Sequence, residues 1–429
     1  AYGLNYTGKP ASYCYENIDS LKHSEYLNDK DFNNHINILN NWRLRNVLLE
    51  KNRKPKLIII NTSGGGLRSA LWTFTVLQYI DSVTGGKLWP QIHLITGASG
   101  GMIGAAYFRE VFYRAKKDST IRPYAKTHLK NISADLLNPI MFTMAVNDMF
   151  IRHQTKKIGK KKYTKDRGYA FEKQLIENTK GFLNKKLYDY KILEERAEIP
   201  LMILTPTITN DGRRLVISST TATHLVNSEP IKKVNFEDLP EAIEFRTFFQ
   251  NQDADSLWFT SALRMNATFP YIMPNSSLPS YPEIQVMDAG IRDNYGLVMA
   301  YKHLFAFRNW IKTNTSGVVI IQLRDKPKKF PIKDNPLNSL FKSLFNPLGS
   351  FYGNWANIQN FDQDDLLHYA GAWFDAPIDV ISFELQNTEQ NAISLSWHLT
   401  TKEKQRIITS IRDSIYMEKI NRLKQLLEY

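Results

Sequence analysis

Two short apolar runs, each broken by glycines and each followed by a helical pattern, constrain this chain more than any other feature. Residues 57–61 (LIIIN) run into Ser63, Gly64, Gly65 and Gly66, and residues 67–83 then carry helical spacing. Residues 92–96 (IHLIT) run into Gly97-Ala98-Ser99-Gly100-Gly101, and residues 102–115 read as a helix with small residues near its start. A continuous apolar strand is buried on both faces. Two such strand–turn–helix units in succession predict a parallel sheet with helical cover. Strand-like runs recur at 201–207, 215–219, 284–287, 318–323 and 379–385, and helices are expected at 29–50, 256–267, 295–311 and 400–427. The expected fold is α/β, a three-layer α/β/α sandwich around a mostly parallel sheet, with helical insertions. The 429 residues read as one domain over 1–429. It carries an N-terminal helical extension at 1–55 and an inserted helical, basic region at 116–198. Residues 335–361 read as an inserted loop.

The turns carry the chemistry. Gly97-Ala98-Ser99-Gly100-Gly101 has the Gly-x-Ser-x-Gly pattern of a nucleophile elbow, between a strand and a helix. The backbone there turns sharply enough to hold the serine in strained dihedrals, and Gly97 and Gly101 relieve the crowding on either side. The serine then stands at a helix N-terminus, which favours developing negative charge. Gly64, Gly65 and Gly66 leave a buried strand with consecutive N–H groups and no side chains in the way, as an oxyanion hole requires. A nucleotide-phosphate cradle fits less well, because neither the P-loop ending nor the Gly-x-Gly-x-x-Gly spacing is present. Asp288, at the end of the 284–287 strand and followed by Ala289 and Gly290, can serve as general base to Ser99.

In this order the three motifs resemble those of the patatin-like phospholipases, which share a catalytic core with the animal cytosolic phospholipases. Gly64-Gly65-Gly66-Leu67-Arg68 matches the family's Gly-Gly-Gly-x-Arg segment, and Gly97–Gly101 its elbow. Asp288-Ala289-Gly290 departs from Asp-Gly-Gly or Asp-Gly-Ala by exchanging its small residues. Residues 261–270 (SALRMNATFP) look like the helix that ends in a proline before the family's catalytic aspartate. Ser63 in place of the more usual Asp looks closer to the animal branch. The resemblance covers roughly residues 56–115 and 256–300. It implies a Ser99–Asp288 dyad without histidine, acting on phospholipid or another lipid ester. The amides of Gly64, Gly65, Gly66 and Gly100 would form the oxyanion hole. Arg68 would orient a phosphate or support the loop. No metal and no cofactor is implied. A catalytically idle relative that binds lipid or protein is the alternative. A Ser-His-Asp triad would need His303, His368 or His398, all of which follow Asp288.

Net charge is +13, concentrated in 156–165 (KKIGKKKYTK), Lys185-Lys186 and 326–329. Such runs suit peripheral contact with anionic membrane, or a solvated loop. No zinc-finger spacing or RNA-binding aromatic motif accompanies them, so nucleic acid is not an expected partner. Met141, Phe142, Met144, Met149 and Phe150 within 138–154 are candidates for an acyl pocket or lid. So are Leu340, Phe341, Leu344, Phe345, Leu348, Phe351 and Trp355 within 337–355. Cys14 is the only cysteine, which excludes an intrachain disulfide and a cysteine-based zinc site. No run approaches ~20 apolar residues, the length that spans a bilayer. The chain opens at Ala1, not Met, which leaves room for a removed signal or anchor upstream; the protein is expected to be cytoplasmic or peripheral to a membrane.

Overall fold

The computed structural model describes residues 1–49, 54–148, 155–158, 161–226, 239–268, 273–328, 347–387 and 392–427. Five strands form a fully parallel sheet in the order Ile378–Glu384, Val318–Arg324, Leu57–Thr62, Ile92–Gly97, Leu201–Leu204. The alternation of the central strands explains the layers. Ile58, Ile60, Val319 and Ile321 join a core with Leu67, Ala70, Met102 and Ile103 from helices Gly66–Val83 and Ser99–Lys117. Leu57, Ile59, Val318 and Ile320 face the opposite way and join Leu297, Ala300 and Leu304 from helix Leu297–Ala306 and Trp42 from helix Glu25–Leu49. The result is the α/β/α sandwich the apolar runs predict. Among the described residues no helix is long and apolar enough to cross a membrane.

A second five-stranded sheet adjoins the first, in the order Ser276–Leu278, Ile284–Met287, Thr207–Ile208, Arg214–Val216, Ala242–Glu244. An antiparallel bridge from Leu204 to Ile217 links it to the edge of the parallel sheet. Asp288 leaves this mixed sheet, not the parallel one. The strand is where the sequence puts it, but its neighbours are short strands whose pairing only tertiary contacts decide.

Two local expectations need correction. The basic run is not a loop: Thr155–Ile158 pairs antiparallel with Lys161–Thr164, residues 159–160 lying outside the described residues. Tyr163 holds this hairpin, its hydroxyl donating to the Leu4 carbonyl (2.9 Å) and accepting from the Gly3 amide (3.1 Å). Nor is the 335–361 stretch a loop throughout. Pro347–Ala370 is a helix, because Gln359 and Gln363 fasten it to residues 290–294 by buried hydrogen bonds. Residues 335–346 lie outside the described residues, as do Met149, Phe150 and Phe269-Pro270; of Leu348, Phe351 and Trp355 only the helical backbone is described.

Candidate active site

Ser99 is the first residue of helix Ser99–Lys117, directly after strand Ile92–Gly97 and Ala98. Its φ is +51°, a left-handed value that a non-glycine residue holds only at a cost of about 1–3 kcal/mol. Close approach explains the glycines around it. A Cβ on Gly97 would stand 2.2 Å from the Thr62 carbonyl oxygen, and one on Gly101 2.4 Å from that of Ser63. The elbow is therefore pressed against the turn that ends the neighbouring strand.

That turn is the glycine loop. A Cβ on Gly64 would meet Ser99 Cβ at 3.3 Å, so the loop runs alongside the nucleophile. The Gly64 amide already donates to Asn294 Oδ1 (3.0 Å), so Gly64 supplies closeness and not an oxyanion donor. The amides of Gly65, Gly66 and Gly100 have no protein acceptor among the described residues. Gly65 (φ +143°) and Gly66 (φ +59°) hold positive φ values that favour glycine.

Arg68 is buried behind the loop. Its guanidinium pairs with Asp325 and donates to the Ile393 carbonyl (2.7 Å). Asp325 in turn accepts from the Ser63 hydroxyl (3.1 Å), whose oxygen accepts from the Asp325 amide (2.8 Å). Two of the three Arg68 guanidinium nitrogens are thus engaged by protein groups behind the loop, while Nε is buried with no partner among the described residues. Asp325 is a residue the sequence did not mark.

Asp288 is buried, and its Oδ1 accepts from the Gly290 amide (2.7 Å). Burial pushes its pKa up to about 7; the Gly290 amide and the Ser99 hydroxyl, which faces the carboxyl, pull the other way. The exchanged Asp-Ala-Gly order costs nothing in the backbone, since Ala289 has ordinary helical dihedrals (φ −62°, ψ −29°). The histidines lie elsewhere. His303 is buried between His93 and His224, His398 reaches Asp135, and His368 is exposed. None of the three hydrogen-bonds to Ser99 or Asp288 among the described residues.

Asn266 ties these parts together. Its carbonyl accepts from the amides of Ser99 (3.0 Å) and Ala289 (3.3 Å). Its side chain accepts from the Thr205 amide (2.8 Å) and donates to the Gly97 carbonyl (3.2 Å). One buried residue thus fixes the elbow and the Asp288 turn to each other. Asn266→Ala removes the side-chain half of this, leaving two buried backbone groups unpaired. It is expected to lower stability by about 2–4 kcal/mol, measured by urea unfolding. It is also expected to slow reaction at Ser99 about tenfold, because the carbonyl contacts remain while the elbow loosens.

No protein-family model matches the chain, and no curated protein matches it. Among solved structures it is similar to human GIVD cytosolic phospholipase A2, at 11% identity and a TM-score of 0.45, covering 92% of this chain and 66% of that one. The complex of that human protein with methyl gamma-linolenyl fluorophosphonate matches at 13% identity and 0.42, covering 87% and 58%. VipD from Legionella pneumophila matches at 10% and 0.33, covering 88% and 67%. The chain thus spans about three fifths to two thirds of these proteins. Likenesses this distant carry no argument about activity, and the case for function rests on the residues of the site.

Proposed function

We propose that this chain is a serine acyl hydrolase that cleaves lipid esters through a Ser99–Asp288 dyad. The observation that carries the reading is Ser99 itself: a strained residue at a strand–helix elbow, faced by a buried carboxyl and flanked by amides without acceptors among the described residues. Asp288 takes the Ser99 proton as Oγ attacks the ester carbonyl. The Gly65, Gly66 and Gly100 amides stabilise the oxyanion. The protonated Asp288 gives its proton to the departing alcohol, leaving an acyl-serine. Asp288 then deprotonates a water, which attacks the acyl carbon and frees the acid and the serine. A carboxyl titrating near 7 suits both halves of the cycle.

The lipid part of the reading is supported by the surface. Met141, Phe142 and Met144 are exposed on and just after helix Leu137–Thr143. That helix packs against helix Arg167–Asn178, which follows the basic hairpin directly. Apolar side chains beside lysines suit the surface of an anionic membrane.

A fluorophosphonate probe tests the chemistry. Wild type is expected to be labelled on Ser99, Ser99→Ala to stay unlabelled, and His303→Ala, His368→Ala and His398→Ala to label where they fold. A folded wild type that resists the probe would sink the reading in favour of an idle binding protein.

A further inference from the structure

A second group of chemistry-bearing side chains stands apart from Ser99. Asp31 and His35, four residues apart on helix Glu25–Leu49, share one face of that helix. His224, in the short turn Thr223–Leu225, meets them from the side, and all three are buried. One ring nitrogen of each histidine and one Asp31 oxygen lie within 4.8 Å of one another. His35 Nε2 is 3.8 Å from Asp31 Oδ1, and His224 Nδ1 is 3.6 Å from Asp31 Oδ2.

Three features of this cluster are unusual for a plain core. Among the described residues, Asp31 has no ion-pair partner except these two histidines, so a carboxylate is buried without a permanent cation. His35 Nδ1 and His224 Nδ1 are buried with no hydrogen-bond partner among the described residues. Yet everything around the three is tightly oriented. Asp31 accepts from the Thr221 hydroxyl (2.6 Å), the Thr223 amide (2.7 Å) and the Thr223 hydroxyl (2.9 Å). His224 Nε2 is 3.1 Å from His303 Nδ1, and His303 Nε2 is 3.0 Å from His93 Nε2. His35 Nε2 is 2.8 Å from the Thr221 carbonyl.

We propose that Asp31, His35 and His224 form a binding site for a divalent cation of the zinc type, which pins the N-terminal helix to the core. Two imidazoles and a carboxylate are a donor set that zinc takes readily. Bonds of about 2.0–2.2 Å place tetrahedral ligands about 3.3 Å apart; His224 Nδ1 and Asp31 Oδ2, at 3.6 Å, need to close by only a few tenths of an ångström, and one donor atom of each of the three residues lies within 4.8 Å of the others. The cation supplies the charge that Asp31 lacks and a partner for ring lone pairs that have none. The surrounding bonds match what such a site requires: a hydrogen-bonded carboxylate, and histidines whose second nitrogens are held by a carbonyl or by another ring. The three ligands come from two segments distant in sequence, and His93 and His303 connect the cluster to strand Ile92–Gly97 and helix Leu297–Ala306.

The test uses the full chain, stripped with a chelator, dialysed against Zn²⁺ and then against metal-free buffer. Elemental analysis is expected to find about one zinc per chain, and thermal unfolding to move upward with zinc in excess. His224→Ala is expected to lose at least nine tenths of the zinc, whereas His23→Ala, at an exposed histidine just after helix Tyr15–Lys22, keeps it. X-ray absorption of the zinc-loaded wild type is expected to show imidazole scattering from two rings, which keeps the proposal testable even where His224→Ala fails to fold. Less than about a tenth of an equivalent in wild type, undiminished zinc in His224→Ala, or a zinc spectrum without imidazole would each overturn it.

Discussion

Asp288→Asn is expected to slow ester hydrolysis at least about 10³-fold and yet, at pH 8, to make the folded chain more stable. The loss follows from the proton. Asparagine keeps an oxygen for the Gly290 amide but cannot take up the Ser99 proton, and among the described residues no histidine hydrogen-bonds to Ser99 to replace it. The gain follows from the charge. Burial raises the folded pKa of Asp288 from 3.8 to about 7. Below about pH 4 the carboxyl is protonated in both states and costs nothing. Between about 4 and 7 the unfolded chain ionises while the native one resists, so stability falls as pH rises. Above about 7 the loss is complete. At about 1.4 kcal/mol per pKa unit, the window holds on the order of 4 kcal/mol. Urea midpoints for the two proteins should therefore agree near pH 4 and separate by pH 8, with the asparagine variant higher. The same pKa fixes the rate profile: kcat/KM for wild type should rise about tenfold per pH unit below 7 and then flatten. An inflection near 4, or parallel stability curves from pH 4 to 8, would remove burial as the source of the base's reactivity.

The parts of this molecule that were legible in the sequence are those where the backbone leaves little choice. Strands buried on both faces are built largely from apolar residues, so Leu57–Thr62, Ile92–Gly97 and Val318–Arg324 announce themselves. Turns in which one backbone presses on another must be glycine, so the elbow and the glycine loop stand out as well. The second sheet is a different case. Its strands have two to four residues, too few for a period to show, and their pairing comes from contacts across the chain. The basic hairpin lacks an apolar alternation because polar contacts of Tyr163, Lys161 and Lys156 tie it down. Asn266, Asn294 and Asp325 were invisible for a related reason. Each acts through hydrogen bonds to residues 61 to 262 positions away, and one polar side chain carries no local mark of such a partner. The Asp31–His35 pair did carry one, a spacing of four on a helix, but its third member lies 189 residues on from His35, at His224.

Gly100→Ala is the substitution expected to damage site and fold together. A Cβ there would lie 1.8 Å from the Gly66 carbonyl oxygen, 2.6 Å from its carbon and 3.1 Å from Gly66 Cα. All three are backbone atoms, so no side chain can swing aside. The elbow helix and the glycine loop must separate, and each carries an amide assigned to the oxyanion. Donors work only within about 2.7–3.1 Å of the charge they meet, and losing one costs about 10²–10³ in rate. Displacing Gly66 and Gly100 together should bring the loss to the upper end of that range or beyond, with about 1–3 kcal/mol of stability lost to overpacking. Gly104→Ala separates the two effects. Its Cβ would meet the Ala70 carbonyl at 2.2 Å, the same kind of clash one helical turn further from Ser99. It should destabilise comparably while slowing hydrolysis much less. Gly85→Ala, at φ +65° with open space around it, should cost only the strain of its backbone, about 1 kcal/mol, and leave the rate unchanged. Rates and urea midpoints for the three variants together decide the matter. If Gly100→Ala loses stability but hydrolyses like Gly104→Ala, the amides beside Ser99 do not hold the oxyanion, and its stabilisation must come from elsewhere in the site.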